Sequence, residues 1–201
     1  EENKPHYYKA GNLNNGFAQV KRITGQLGDY VLVQDVDMLL HPNILLRTLP
    51  HFYEDDRVAY LQIGQNYYNL HSPDVLSQAL IVQNRQLIHC DANNGSSTCI
   101  GSGMMIKSCV LEETNGFPLY STTEDFNFSF VIHKLGYKST YINEHLQYGV
   151  TPDSLTGTIE QFKRWESGNF QVVYQRFAEL ISFKQEKNRM TFFQRFVYFT
   201  F

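Results

Sequence analysis

Apolar positions along the chain fall into two rhythms. Short, nearly continuous apolar runs at 30–33 and 58–63, and a third segment at 138–142, predict buried strands. Between them the spacing is helical. Phe17, Val20 and Leu27 share roughly one face of a helix over 14–27, with Asn14 or Asn15 placed to cap it and Gly28 to stop it. His41-Pro42-Asn43 starts a helix through about 52, a further helix covers 76–88, and a loop follows at 91–97. A helix over 121–135 is closed by Gly136, and another covers 158–180, where Ser167-Gly168 is placed to kink it. Helices and strands alternate throughout, which predicts an α/β layer structure with a mostly parallel central sheet flanked by helices. No internal repeat or low-complexity tract interrupts this order.

Composition narrows the class. With 201 residues, 42% hydrophobic and 18% charged, the chain is long enough for one domain with a sizeable core. The formal net charge of −3 is no basic footprint for nucleic acid, which is not expected as a partner. Three cysteines, Cys90, Cys99 and Cys109, lack CxxC spacing and argue against a disulfide framework or a structural zinc site. Aromatics reach 14%, a composition that suits core packing and also the stacking of sugar rings. No run is long enough to span a bilayer.

Four strings could carry chemistry. Asp35-Val36-Asp37 follows an apolar run; on an extended strand its two carboxylates face the same way and could hold a hard divalent cation against a diphosphate. Two solvated acids opening a loop have the same pattern. Ser121-Thr122-Thr123-Glu124-Asp125 fits a capping box between Ser121 and Glu124, with Asp125 in a first helical turn whose dipole favours its ionised form. An ionised carboxylate at a sheet edge is also what a general base for a sugar hydroxyl requires. Gln161-Phe162-Lys163-Arg164-Trp165 sets Gln161, Arg164 and Trp165 on one helical face, as a diphosphate clamp with a ring for stacking or as an amphipathic helix anchored by Trp165. Lys9-Ala10-Gly11-Asn12-Leu13-Asn14 joins a phosphate-binding type of side chain to a glycine and a helix start. Cys99-Ile100-Gly101-Ser102-Gly103 reads alone as a tight turn.

Taken in order, these strings resemble the signature set of processive family 2 glycosyltransferases, the cellulose, chitin and hyaluronan synthases and their relatives, over nearly the whole chain. The resemblance implies a GT-A-type (Rossmann-like) catalytic domain, truncated at its N-terminus, over 1–189. Residues 190–201 would begin an interfacial or membrane-proximal segment. It implies a UDP-sugar donor, a polysaccharide acceptor, a Mg or Mn divalent cation, and an integral membrane protein whose catalytic domain faces the cytosol. By the same resemblance Asp35 and Asp37 match the metal carboxylates, and Lys9, Gln161 and Arg164 complete the nucleotide-sugar site. Asp125, with Glu124 beside it, matches the catalytic base; Trp165, Gly101 and Ser102 match the acceptor site. Leu146-Gln147-Tyr148-Gly149, Pro152-Asp153-Ser154 and 190–195 look like fungal cellulose-synthase-like proteins, some linked to mixed-linkage glucan, which points to glucose. The rival readings are a non-processive family 2 transferase, a metal-dependent phosphohydrolase built on Asp35-Val36-Asp37, and a UDP-sugar-binding module without turnover.

Overall fold

The computed structural model describes residues 7–70, 73–92, 95–183 and 188–200. The described elements run α1 (Tyr8–Thr24), β1 (Tyr30–Val33), β2 (Leu39–Leu40), α2 (Ile44–Thr48), α3 (Pro50–Glu54), β3 (Val58–Ile63), β4 (Asn66–Tyr67), α4 (Ile81–Ala92), β5 (Met104–Lys107), α5 (Ser108–Glu113), α6 (Glu124–Leu135), β6 (Lys138–Ile142), β7 (Gln147–Gly149), α7 (Leu155–Ile181) and α8 (Phe192–Val197).

The main sheet has the order β1-β5-β3-β6. Strands β1, β3 and β6 share one direction, and β5 runs against both of its neighbours, so β3–β6 is the parallel pairing. Every residue of β3 is buried, as expected of a central strand covered on both faces, and this is why it reads as a continuous apolar run. On one face, Tyr60, Met104 and Ile106 pack with Val110, Phe117 and Phe128; on the other, Leu61, Ile63 and Met105 pack with Phe52 and Ile142. A third cluster joins Phe126 and Phe130 of α6 to Val172 and Leu180 of α7 and to Val197 and Tyr198 at α8. A small second sheet, β2-β7-β4, lies beyond the ends of β1 and β3.

The predicted strands at 30–33, 58–63 and 138–142 form as expected. The helices shift. α1 begins at Tyr8 and ends at Gly25, whose φ of 86° supplies the left-handed C-cap. Asn14 therefore does not cap it; its side chain bonds both the N–H and the carbonyl of Phe117 and ties α1 to the loop before α6. The helix expected over 41–52 is split in two at Leu49-Pro50, because the proline has no N–H to continue the ladder. The helix expected at 76–88 starts only at Ile81, after the positive φ angles of Ser77 and Leu80. α7 is one 27-residue helix. Gly168 serves contact rather than a kink: a Cβ there would collide with the Thr123 side chain, so the glycine lets α7 lie against the start of α6.

Candidate active site

The polar strings converge at one end of the main sheet. Strand β1 delivers Asp35 two residues past its last residue, in a turn closed by the Met38 N–H donating to the Asp35 carbonyl at 3.1 Å. Asp35 and Asp37 thus sit on a turn and not on an extended strand, a correction to the expected geometry. Both still act on one neighbour: after burial, the charges of Asp37 and then Asp35 are what push the Tyr67 hydroxyl pKa upward.

The Lys9 ammonium binds this group together. It lies 2.5 Å from Asp35 Oδ1 and 3.9 Å from Glu124 Oε1, and it donates to the Gly101 carbonyl at 2.8 Å. The turn at 101–103 needs its glycines. Gly101 has φ +92° and an added Cβ would stand 2.9 Å from Asp125 Oδ2; at Gly103, with φ +68°, one would collide with the Gln147 amide. Between them, Ser102 Oγ accepts from the Asp35 N–H at 3.1 Å and lies 3.3 Å from Gln147 Oε1. The fully buried Gln147 side chain also accepts from Gln34 at 3.1 Å and donates toward the Ser102 and Gly64 carbonyls. This amide fixes three loops at the site; in the sequence Leu146-Gln147-Tyr148-Gly149 stood out only as a likeness, with no sign of that role.

At the start of α6 the expected capping box is not formed. The N-cap is Thr123, without a side-chain cap bond, and Ser121 Oγ accepts instead from the Thr123 N–H at 3.2 Å. Nor does the first turn lower the pKa of Asp125. Burial raises it, against the pull of the Phe126 N–H bond at 2.8 Å and of Lys9. Glu124 is pushed up to about 7, first by burial and then by the Asp125 charge, with Lys9 opposing. Asp125 lines a cleft of about 390 Å³ with Trp165 and Asn169 of α7, Phe126, Ile100 and Gln65. Trp165 is half-buried and touches the Phe162 ring at 5.6 Å between centroids, so it serves both cleft and packing. Gln161 lies about one turn before Trp165 on α7 and Arg164 directly precedes it; neither lines the cleft, and Arg164 is exposed. Gln65 and Asp74, which also face the cleft, follow β3 in segments without any motif.

The two aspartates are the carboxylates offered here for a cation; among the described residues no group of three or more His, Cys, Asp or Glu could hold a metal. Mg²⁺ sites commonly take one or two carboxylates and complete their shell with phosphate and water, so the donor set fits a cation held jointly with a diphosphate. Lys9 against Asp35 shows that a positive charge is already accommodated there.

The architecture is that of a GT-A-type glycosyltransferase. It superposes with a TM-score of 0.66 on a mannosyltransferase of Pyrobaculum calidifontis solved in complex with GDP-Man and Mn²⁺, at 16% identity over 85% of this chain and 44% of that one. Residues 30–201 match the family described as glycosyl transferase family group 2, and the chain belongs to that family. It is 31% identical over 171 residues to a UDP-forming cellulose synthase of Dictyostelium discoideum, covering 84% of this chain and 16% of that protein. It is also similar to an Oryza sativa subsp. japonica protein named probable glucomannan 4-beta-mannosyltransferase 6, at 25% identity over 89% of this chain and 31% of the relative. The chain therefore spans less than a third of the length of these curated relatives.

Proposed function

We propose that this chain carries the catalytic site of an inverting, processive glycosyltransferase that moves glucose from UDP-glucose to the growing end of a β-linked polysaccharide. One observation carries the reading: a cationic and acidic cluster for a metal-bound diphosphate (Lys9, Asp35, Asp37) meets a half-buried carboxylate, Asp125, at the Gly101 turn, beside a cleft lined by Trp165. The donor's sugar would lie between the two, with the acceptor in the cleft.

The acceptor hydroxyl oxygen forms a bond to the anomeric carbon as the bond from that carbon to the diphosphate oxygen breaks. Asp125 takes the hydroxyl proton, and the electron pair leaves with UDP. Attack from the face opposite the diphosphate inverts the anomeric centre, so an α-linked donor gives a β-linkage. A bound Mg²⁺ or Mn²⁺ supplies neutralising charge at the leaving diphosphate. Asp35 and Asp37 would hold that ion, Lys9 would stand at the diphosphate, and Arg164 and Gln161 would reach it from the stretch of α7 that leads into Trp165. Trp165 would stack on the acceptor sugar, and Ser102 holds Asp35 in place through its backbone N–H. The raised pKa of Asp125 makes it a stronger proton acceptor than an ordinary aspartate.

The cellulose synthases among the relatives support glucose, while the rice relative, named a mannosyltransferase, makes mannose the competing sugar. The C-terminal segment supports attachment at a membrane surface. Phe192, Phe193, Phe196 and Phe199 are exposed and continue the exposed Phe177 of α7 through an edge contact of 6.2 Å to Phe199. No helix among the described residues is long and apolar enough to cross a membrane. Arg195 is buried and donates to the carbonyls of Glu179 and Leu180, locking α8 onto the end of α7.

Membranes carrying the full-length protein should incorporate label from UDP-glucose, and not GDP-mannose, into β-glucanase-sensitive polymer, and EDTA should stop it. Label confined to single-sugar products would replace polymerisation by single addition; phosphate release without acceptor would support a phosphohydrolase instead.

A further inference from the structure

The contacts of Lys9 raise a question that its role at a diphosphate does not answer. A side chain waiting for phosphate would normally stand in solvent. Here the ammonium is pinned between two acceptors, 2.5 Å from Asp35 Oδ1 and 2.8 Å from the Gly101 carbonyl. Glu124 Oε1 is 3.9 Å away and so forms only a loose pair with it. An ammonium and a divalent cation cannot share one carboxylate oxygen at such distances, because two positive charges that close repel strongly in a partly buried site. Asp35 is 40% and Lys9 34% exposed, so the pair can open without unpacking the core.

We propose that Lys9 is a tethered counter-ion which a divalent cation displaces from Asp35, and that the released ammonium stays on the Gly101 carbonyl and closes on Glu124 beside Asp125. This rests on the glycosyltransferase reading and adds to it a coupling between donor arrival and the base. Before the cation binds, Lys9 neutralises the metal carboxylate. Afterwards it faces Glu124, the nearest uncompensated acid, and sits beside the carboxylate that accepts the proton. The Gly101 carbonyl is the pivot: it accepts from Lys9, and the space that a Cβ on Gly101 would take lies 2.9 Å from Asp125 Oδ2 and 3.5 Å from the Lys9 ammonium. Lys9 is a positioning residue in this step.

The arrangement makes a prediction of unusual sign. With the full-length protein in detergent, free Mn²⁺ is followed by its electron paramagnetic resonance signal, without and with UDP. Without nucleotide, Lys9→Met should bind Mn²⁺ roughly three- to tenfold more tightly than wild type, because the competing charge is gone. With saturating UDP the advantage should disappear, because the diphosphate then supplies much of the cation's negative charge and Asp35 matters less. Lys9→Gln should behave like Lys9→Met, and equal melting temperatures would establish that both variants fold. Unchanged or weaker Mn²⁺ binding by the variants without UDP would overturn the displacement, while wild-type Mn²⁺–UDP binding would leave the functional reading standing. Absence of Mn²⁺ binding by wild type even with UDP would overturn both.

Discussion

Helix α6 carries a buried polar cluster at each end, and the two are built on opposite principles. At the C-terminal end, His133 is fully buried, with Nδ1 2.7 Å from the Tyr198 hydroxyl and Nε2 3.0 Å from Ser139 Oγ, which lies 2.6 Å from the Ser97 carbonyl. Burial lowers the His133 pKa to about 3, so the ring is neutral and both of its nitrogens have partners. At the N-terminal end, Glu124 and Asp125 are adjacent acids whose pKa values burial raises, with Lys9 as the nearest cation. The first cluster is satisfied without charge and ties α6 to β6 and α8. The second holds like charges together in a half-dry place at a cleft, at a cost to stability. A protein tolerates such strain where charge is about to move, which is why the N-terminal cluster reads as machinery and the C-terminal one as scaffold.

Substitutions at the two ends of α6 should therefore fail in different ways. The largest effect should come from Asp125→Asn, which keeps shape and removes the proton acceptor. Turnover by the full-length protein should fall about 10²–10⁴-fold with UDP-sugar affinity nearly unchanged, measured by initial rates and titration calorimetry. Next, His133→Leu should cost roughly 2–4 kcal/mol in chemical denaturation, because the Tyr198 and Ser139 hydroxyls are left buried with fewer partners.

A smaller effect is expected of Glu124→Gln, and its sign depends on pH. The folded state raises the Glu124 pKa from 4.5 to about 7, so it favours the protonated form. That contribution is complete below the ordinary value and is lost as pH rises toward 7. The amide mimics the protonated acid at every pH. The variant should therefore match wild type near pH 4.5 and exceed it by on the order of 1–2 kcal/mol at pH 8. A variant less stable than wild type at pH 8 would mean that the Lys9 attraction outweighs burial.

Much of this contrast was legible in the sequence on one side only. Strands β1, β3 and β6 showed themselves as bounded apolar or alternating runs, and Gly136 marked the end of α6, where its φ is 93°. The site strings could be picked out because carboxylates, glycines and a lysine recur at spacings that chemistry needs. Their contacts could not. Nothing in the order of residues says that Lys9 reaches Asp35, or that Ser121 turns to the Thr123 N–H and leaves no capping box. Strand β5 was hidden because its four residues follow directly on the Gly101-Ser102-Gly103 turn and end in Lys107. The start of α1 was obscured by Asn14 and Asn15, which read as caps of a helix over 14–27 until Asn14 is seen bonded to Phe117. The His133 cluster left no trace at all, since its partners lie 65 and 6 residues away and belong to different elements.

In the proposed mechanism one end of α6 performs chemistry while the other holds the fold. The most direct test of that division measures sugar transfer and melting temperature on the same two full-length variants, Asp125→Asn and His133→Leu. The expected result is a crossing. Asp125→Asn should melt at or above the wild-type temperature and transfer almost nothing, while His133→Leu should melt several degrees lower and, below its transition, transfer at close to the wild-type rate per folded molecule. Near-normal transfer by Asp125→Asn would contradict the division, and so would a full-strength fold of His133→Leu that had lost activity.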